Sequence, residues 1–201
     1  MSNEDKISKS ICDTIQKRIE RDKDFHFPIN IGHKKKIFIG STCGVSKNKP
    51  KLLFQSAEQD IVIYLKDENN EYNFEGTNFF QKFRRSLTDG KILIPLLIFE
   101  AKNEGVITHG VRQYSEIARM IKYIFPFCMY NFLLINIPLT QVDSSDKIYM
   151  SSKYFDRVIY KTGYEINNDI HNETVSEMLN LISYHLNYLK EEKFFRFTNV
   201  L

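Results

Sequence analysis

Several features that would place a chain quickly are missing from these 201 residues. Cysteine is scarce: Cys12, Cys43 and Cys128 are odd in number and far apart, with no CxxC and no histidine beside them. That spacing argues against a disulfide framework and against a zinc site; a cytoplasmic setting is the expectation. No apolar run approaches the roughly 18 residues of a membrane span, and the opening Met1-Ser-Asn-Glu-Asp-Lys6 offers no secretory h-region. Neither a Gly-rich phosphate loop nor a GxSxG elbow is present, which weakens P-loop, kinase and serine-hydrolase readings. Repeats and low-complexity tracts are absent as well. Charge of one sign is not in excess: 28 Lys and Arg against 25 Asp and Glu leave +3, so this is no histone-like polycation.

What is present is globular. Hydrophobic residues at 42% argue against disorder. A chain of this length buries roughly 70% of its unfolded surface and needs no staple. Residues 1–201 are therefore expected to form a single domain. Charge is uneven locally: from His33 to Lys51 there are six lysines and no acid, so that stretch carries +6 and the remainder nets 3 − 6 = −3.

Ile7, Ile11, Ile15 and Ile19 recur every fourth residue and predict a helix from about Asn3 to Asp22. Short strands are expected over 37–40, 52–54 and 61–65. A basic helix is expected over Thr77–Leu87. The most apolar stretch, Ile92–Phe99, runs directly into Glu100-Ala-Lys102, with Pro95 making that strand bulged or edge-like. An amphipathic helix follows (Val111, Tyr114, Ile117, Ala118, Ile121, Ile124), then a buried-type strand over 129–137, a helix over 144–155 and a strand over 157–160. The closing helix runs from about Glu173 to Glu192, with Asn172 as its N-cap. The fold expected is α/β: a mixed central β-sheet flanked by helices, in the order α-β-β-β-α-β plus a C-terminal helix. The core spans about 4–137 and a C-terminal extension 138–201.

The informative constellation is Glu-x-Lys at the end of an apolar strand, with Asp60 opening an earlier one. Side chains alternate along a strand, so Glu100 and Lys102 share a face. If 60–65 pairs antiparallel with 92–99, Asp60 arrives beside Glu100. Asp89 is the rival, but it opens the strand that Glu100 closes, roughly 36 Å away along a straight strand. Two carboxylates and an ammonium suit Mg²⁺, which binds through one or two carboxylates plus phosphate oxygens. An ion so held stabilises charge on a phosphate and acidifies an attacking water.

These residues, Gln59-Asp60, Glu100-Ala-Lys102 and the helix after them, resemble the PD-(D/E)XK nuclease superfamily over about residues 4–137. Phe99-Glu-Ala-Lys-Asn-Glu-Gly105 is most like its type II restriction endonucleases. The resemblance implies a restriction-endonuclease-like αβββαβ core and a metal-dependent endodeoxyribonuclease acting on double-stranded DNA. Mg²⁺ is the implied cofactor and Mn²⁺ a possible substitute; a homodimer would read a palindromic target. Asp60, Glu100 and Lys102 become the catalytic set. Glu20 is added from the first helix as a metal contact, ahead of Glu4 and Asp13, and Gln113 from the helix after the motif. Gln59 stands where the family has proline, and the long gap from Asp60 to Glu100 leaves Glu58 as the nearest substitute for Asp60.

Phosphate neutralisation by basic side chains supplies most sequence-independent DNA affinity. The candidates are Lys34, Lys35, Lys36, Lys47, Arg84 and Arg85, joined by His109 and Arg112 near a helix N-terminus, a favourable place for an anion. Two other readings stay open: a repair, recombination or mobile-element nuclease, and a non-catalytic nucleic-acid-binding domain.

Overall fold

A computed structural model of the protein describes residues 2–46, 49–66, 93–105, 108–138 and 152–192, with backbone alone at 42–46, 49–54 and 108. Helix α1 (Asn3–Arg21) begins at Ser2, whose hydroxyl accepts the Asp5 amide at 3.1 Å while the Asp5 carboxylate accepts the Ser2 amide at 3.3 Å. This reciprocal cap satisfies two amides that a helix start leaves without partners. The fourfold isoleucine spacing buries Ile7, Ile11 and Ile15 as expected.

Strands β1 (Ile29–Ser46) and β2 (Lys49–Leu65) form one long antiparallel hairpin, where three short strands were expected. Its lysines, Ser46 and Pro50 dilute any strand signal in the sequence, yet the ladder between the two arms continues from Ile29↔Leu65 to Ser46↔Lys49. β3 (Pro95–Asn103) pairs antiparallel with β2. Helix α2 (Thr108–Ile124) then leads to β4 (Met129–Ile135), parallel to β3, and β5 (Arg157–Lys161) is parallel to β4. Helix α3 (Asp169–Glu191) closes the described chain. Among the described residues the fold is thus a five-stranded mixed sheet, in the order β1-β2-β3-β4-β5, with three helices.

β3 is a central strand rather than an edge. Pro95 is tolerated because it is the strand's first residue, opposite an irregularity between Ile63 and Tyr64. The final helix starts four residues earlier than its apolar stripe suggested: Asn168, not Asn172, is the cap, accepting the His171 amide at 2.8 Å. Residues 152–156 form a turn, not a helix end. There Asp156 accepts the Tyr130 amide at 2.6 Å and pairs with Lys122 at 2.6 Å. The helix expected over Thr77–Leu87, together with Asp89, lies outside the described residues.

Alternation divides the sheet between two apolar layers. Ile61, Ile63, Phe99 and Leu133 pack with α1 and with Val175, Met178 and Ile182 of α3. Val62, Ile98 and Tyr130 pack instead with Ala118 and Ile121 of α2. Cys12 and Cys128 are buried and unbridged, and burial pushes the Cys12 thiol up to about 11. Ile11 is completely enclosed. Ile11→Ala is expected to cost about 2–5 kcal/mol in a urea melt, through lost transfer energy and the cavity left behind.

Candidate active site

The β2–β3 register brings the sheet's charged residues to one place. Ile61 stands opposite Phe99, so one further step carries Asp60 toward Glu100. The Asp60 carboxylate completes that approach: its Oδ2 accepts the backbone amide of Ala101 at 3.0 Å, between the glutamate and the lysine of the motif. Glu100 and Lys102 meet at 3.2 Å. Asp60, at 1% exposed, and Glu100, at 4%, are buried carboxyl side chains. Glu58, by contrast, is exposed.

Burial and the negative charge of Asp60 push the Glu100 carboxyl up to about 8, against the pull of Lys102. Its Oε2 is buried and accepts no hydrogen bond among the described residues. Such an oxygen is costly unless something satisfies it. Burial alone would lower Lys102, but Glu100, Glu4 and Tyr114 outweigh it and hold the side chain above its ordinary range. Lys102 is therefore an ammonium at neutral pH: a donor and a fixed positive charge, not a base.

Two helix N-termini frame this group. From α1, Glu4 Oε1 takes Lys102 Nζ at 2.7 Å. From α2, the Tyr114 ring lies 4.6 Å from Lys102 Nζ, a separation at which ring and cation attract. From β1, Lys34 Nζ sits 2.5 Å from Asp60 Oδ1 and 3.1 Å from Asp5 Oδ1. Burial alone would lower the Lys34 ammonium, but its contacts with Asp60 and Asp5 outweigh that and hold it above its ordinary range.

Three expectations are corrected by these positions. Glu20 is exposed and accepts Gln16 Nε2 at 2.9 Å. It lies sixteen residues along α1 from Glu4, about 24 Å at 1.5 Å per residue, so Glu4 is the α1 glutamate at the site. Gln113 is exposed, and Tyr114 is the α2 residue that reaches Lys102. Lys34 is engaged with two carboxylates instead of standing free for phosphate. Asp13 pairs with Lys9 at 2.8 Å on the helix surface.

Lys36 is exposed and Lys35 half-buried, its stem lying across Gly32. His109 and Arg112 are exposed in the first turns of α2. Lys47, Arg84 and Arg85 lie outside the described residues. The sequence had offered Glu4 only as a lesser candidate and had not singled out Asp5 or Tyr114 for the site. Two acids in the first turn of α1 were the available signal.

Among the described residues no three His, Cys, Asp or Glu side chains converge as a metal cluster. Two acidic side chains with one carboxylate oxygen left over suit Mg²⁺, which binds with few protein ligands and keeps waters or phosphate oxygens. Among the described residues no helix is long and apolar enough to cross a membrane. No family model and no curated protein matches the chain.

Proposed function

We propose that the protein is a Mg²⁺-dependent endodeoxyribonuclease of PD-(D/E)XK type, most like a type II restriction enzyme, acting on double-stranded DNA. One observation carries this reading: a buried Asp60–Glu100 carboxyl pair, with a Glu100 oxygen that has no hydrogen-bond partner among the described residues, next to the ammonium of Lys102. The order α1-β1-β2-β3-α2-β4 and the place of Glu100 and Lys102 near the end of a central strand support it.

Asp60 and Glu100 would hold the ion, which when bound supplies Lewis-acid stabilisation of a phosphate and a more acidic water. Seating it requires Glu100 to give up the proton that burial favours, so ion binding releases a proton near neutral pH. Lys102, anchored by Glu4 and backed by Tyr114, donates to the attacking water or to a non-bridging phosphate oxygen. The water oxygen bonds to phosphorus in line with the departing ester oxygen, that P–O bond breaks, and the proton that the water loses passes through solvent to the leaving alkoxide. A palindromic target would be met by a two-fold dimer.

The test is incubation of the purified protein with long duplex DNA in Mg²⁺ or EDTA. Discrete fragments that require Mg²⁺ are the expected result. A Mg²⁺-dependent smear would point to a non-specific or structure-specific nuclease, and no cleavage of any duplex, flap or four-way junction would overturn the proposal.

A further inference from the structure

Lys34 is held in a way that a solvated surface lysine is not. Its backbone lies at φ 52, a left-handed conformation uncommon for residues other than glycine, asparagine and aspartate. Such strain persists only where the surroundings impose it, and it gathers at functional positions. The flanking pairs His33↔Ile61 and Lys35↔Gln59 place Lys34 across the ladder from Asp60. The ammonium is thereby brought 2.5 Å from Asp60 Oδ1, a carboxylate that is otherwise buried. A second seat lies within reach, Asp5 Oδ1 at 3.1 Å, and Asp5 is itself fixed by the helix cap through its other oxygen.

We infer that Lys34 is a tethered counter-ion that occupies the divalent-cation seat on Asp60 and must withdraw, toward Asp5, before a metal ion can bind there. This rests on the nuclease reading, since it needs Asp60 to be a metal ligand. A divalent ion on Oδ1 would stand close beside the ammonium, and the repulsion between the two favours withdrawal of Lys34 toward Asp5. The lysine neutralises Asp60 while the ion is away, and it raises the concentration of ion needed to load the site. Lys34 is on this account a positioning residue: it sets when Asp60 becomes available.

If the competent arrangement, with Lys34 off Asp60, is populated about one part in ten, the apparent ion affinity is weakened about tenfold. Removing the ammonium restores that factor. Lys34→Asn is the variant of choice because asparagine tolerates positive φ; Lys34→Met is the second. Lys9→Met removes an equal charge from a lysine paired with Asp13, so it reports any general field effect.

The experiment is calorimetric titration of Mn²⁺ alone, without DNA, into wild type, the three lysine variants and Asp60→Asn. The expected result is one site bound about tenfold more tightly by both Lys34 variants, little change in Lys9→Met, and no binding by Asp60→Asn. Binding by Lys34→Asn where wild type shows none would support the inference equally. Equal affinities in wild type and both Lys34 variants, with Asp60→Asn still abolishing binding, would overturn the role of Lys34 and leave the nuclease reading intact. No binding by any of the proteins at millimolar Mn²⁺ would overturn both.

Discussion

Glu100→Gln is expected to reduce Mg²⁺-dependent DNA cleavage by about 10³-fold or more while leaving the fold intact; losing a group that stabilises transition-state charge typically costs about 10²–10³-fold, and here a metal ligand goes with it. The amide keeps the size and polarity of the carboxyl but cannot supply the negative charge that the ion needs. Asp60→Asn is expected to fall similarly, with a larger structural penalty, because its Oδ2 also holds the Ala101 amide and its Oδ1 neutralises Lys34. Lys102→Met leaves both carboxylates in place. It should retain Mn²⁺ binding in calorimetry yet lose cleavage by about 10²–10³-fold, separating ion capture from stabilisation of the reacting phosphate. Time courses on a single duplex, with circular dichroism as the control for folding, measure all three. Cleavage within about threefold of wild type in Glu100→Gln would remove the carboxylate pair from the chemistry.

The parts of the site legible in the sequence were those set by strand alternation. An apolar run ending in Glu100-Ala-Lys102 fixes which two side chains share a face, and antiparallel pairing of the neighbouring strand carries Asp60 to them. What alternation does not encode is how an amphipathic helix is aimed. The isoleucines of α1 bury one face equally well in either direction along the sheet, so Glu4 and Glu20 could not be told apart until the capped N-terminus was seen beside Lys102. Lys34 was opaque for a different reason. In a run of three lysines nothing marks the one at positive φ, and only the hairpin register puts it opposite Asp60. That register was itself hidden, since the long arms of β1 and β2 contain many residues of weak strand preference. β5 and α3 lie beyond the core expected over about 4–137, yet β5 extends the same sheet and α3 shares the apolar layer of α1.

The carboxylate placement that serves chemistry opposes stability, and the opposition is measurable through pH. Glu100 titrates at about 8 in the folded chain, above its ordinary 4.5, because burial and Asp60 disfavour its charged form. Between those values the unfolded chain has released a proton that the folded chain keeps, so this group's stabilising contribution is complete below about 4.5 and disappears as pH rises to about 8. Other groups bend the total curve. Burial lowers His33, His171 and His185, and each adds stability with rising pH up to its ordinary value of 6.5. Lys34, then Ser2, pull Asp5 down to about 2, so the Asp5 contribution is lost as pH falls from 3.8 toward that value. The difference between Glu100→Gln and wild type cancels these shared slopes. In metal-free buffer Glu100→Gln is expected to match wild type near pH 4.5 and to become progressively more stable up to pH 8, where the gain reaches on the order of a few kcal/mol. Saturating Mg²⁺ should then stabilise wild type at pH 8 and leave Glu100→Gln nearly unmoved, because only a carboxylate that binds the ion in the folded state transmits that stabilisation. Thermal melts at pH 4.5, 6 and 8, each with Mg²⁺ or EDTA, make the comparison. A melting-temperature difference that stays constant across that range would mean that Glu100 is ionised throughout and that its buried oxygen is satisfied by some other partner.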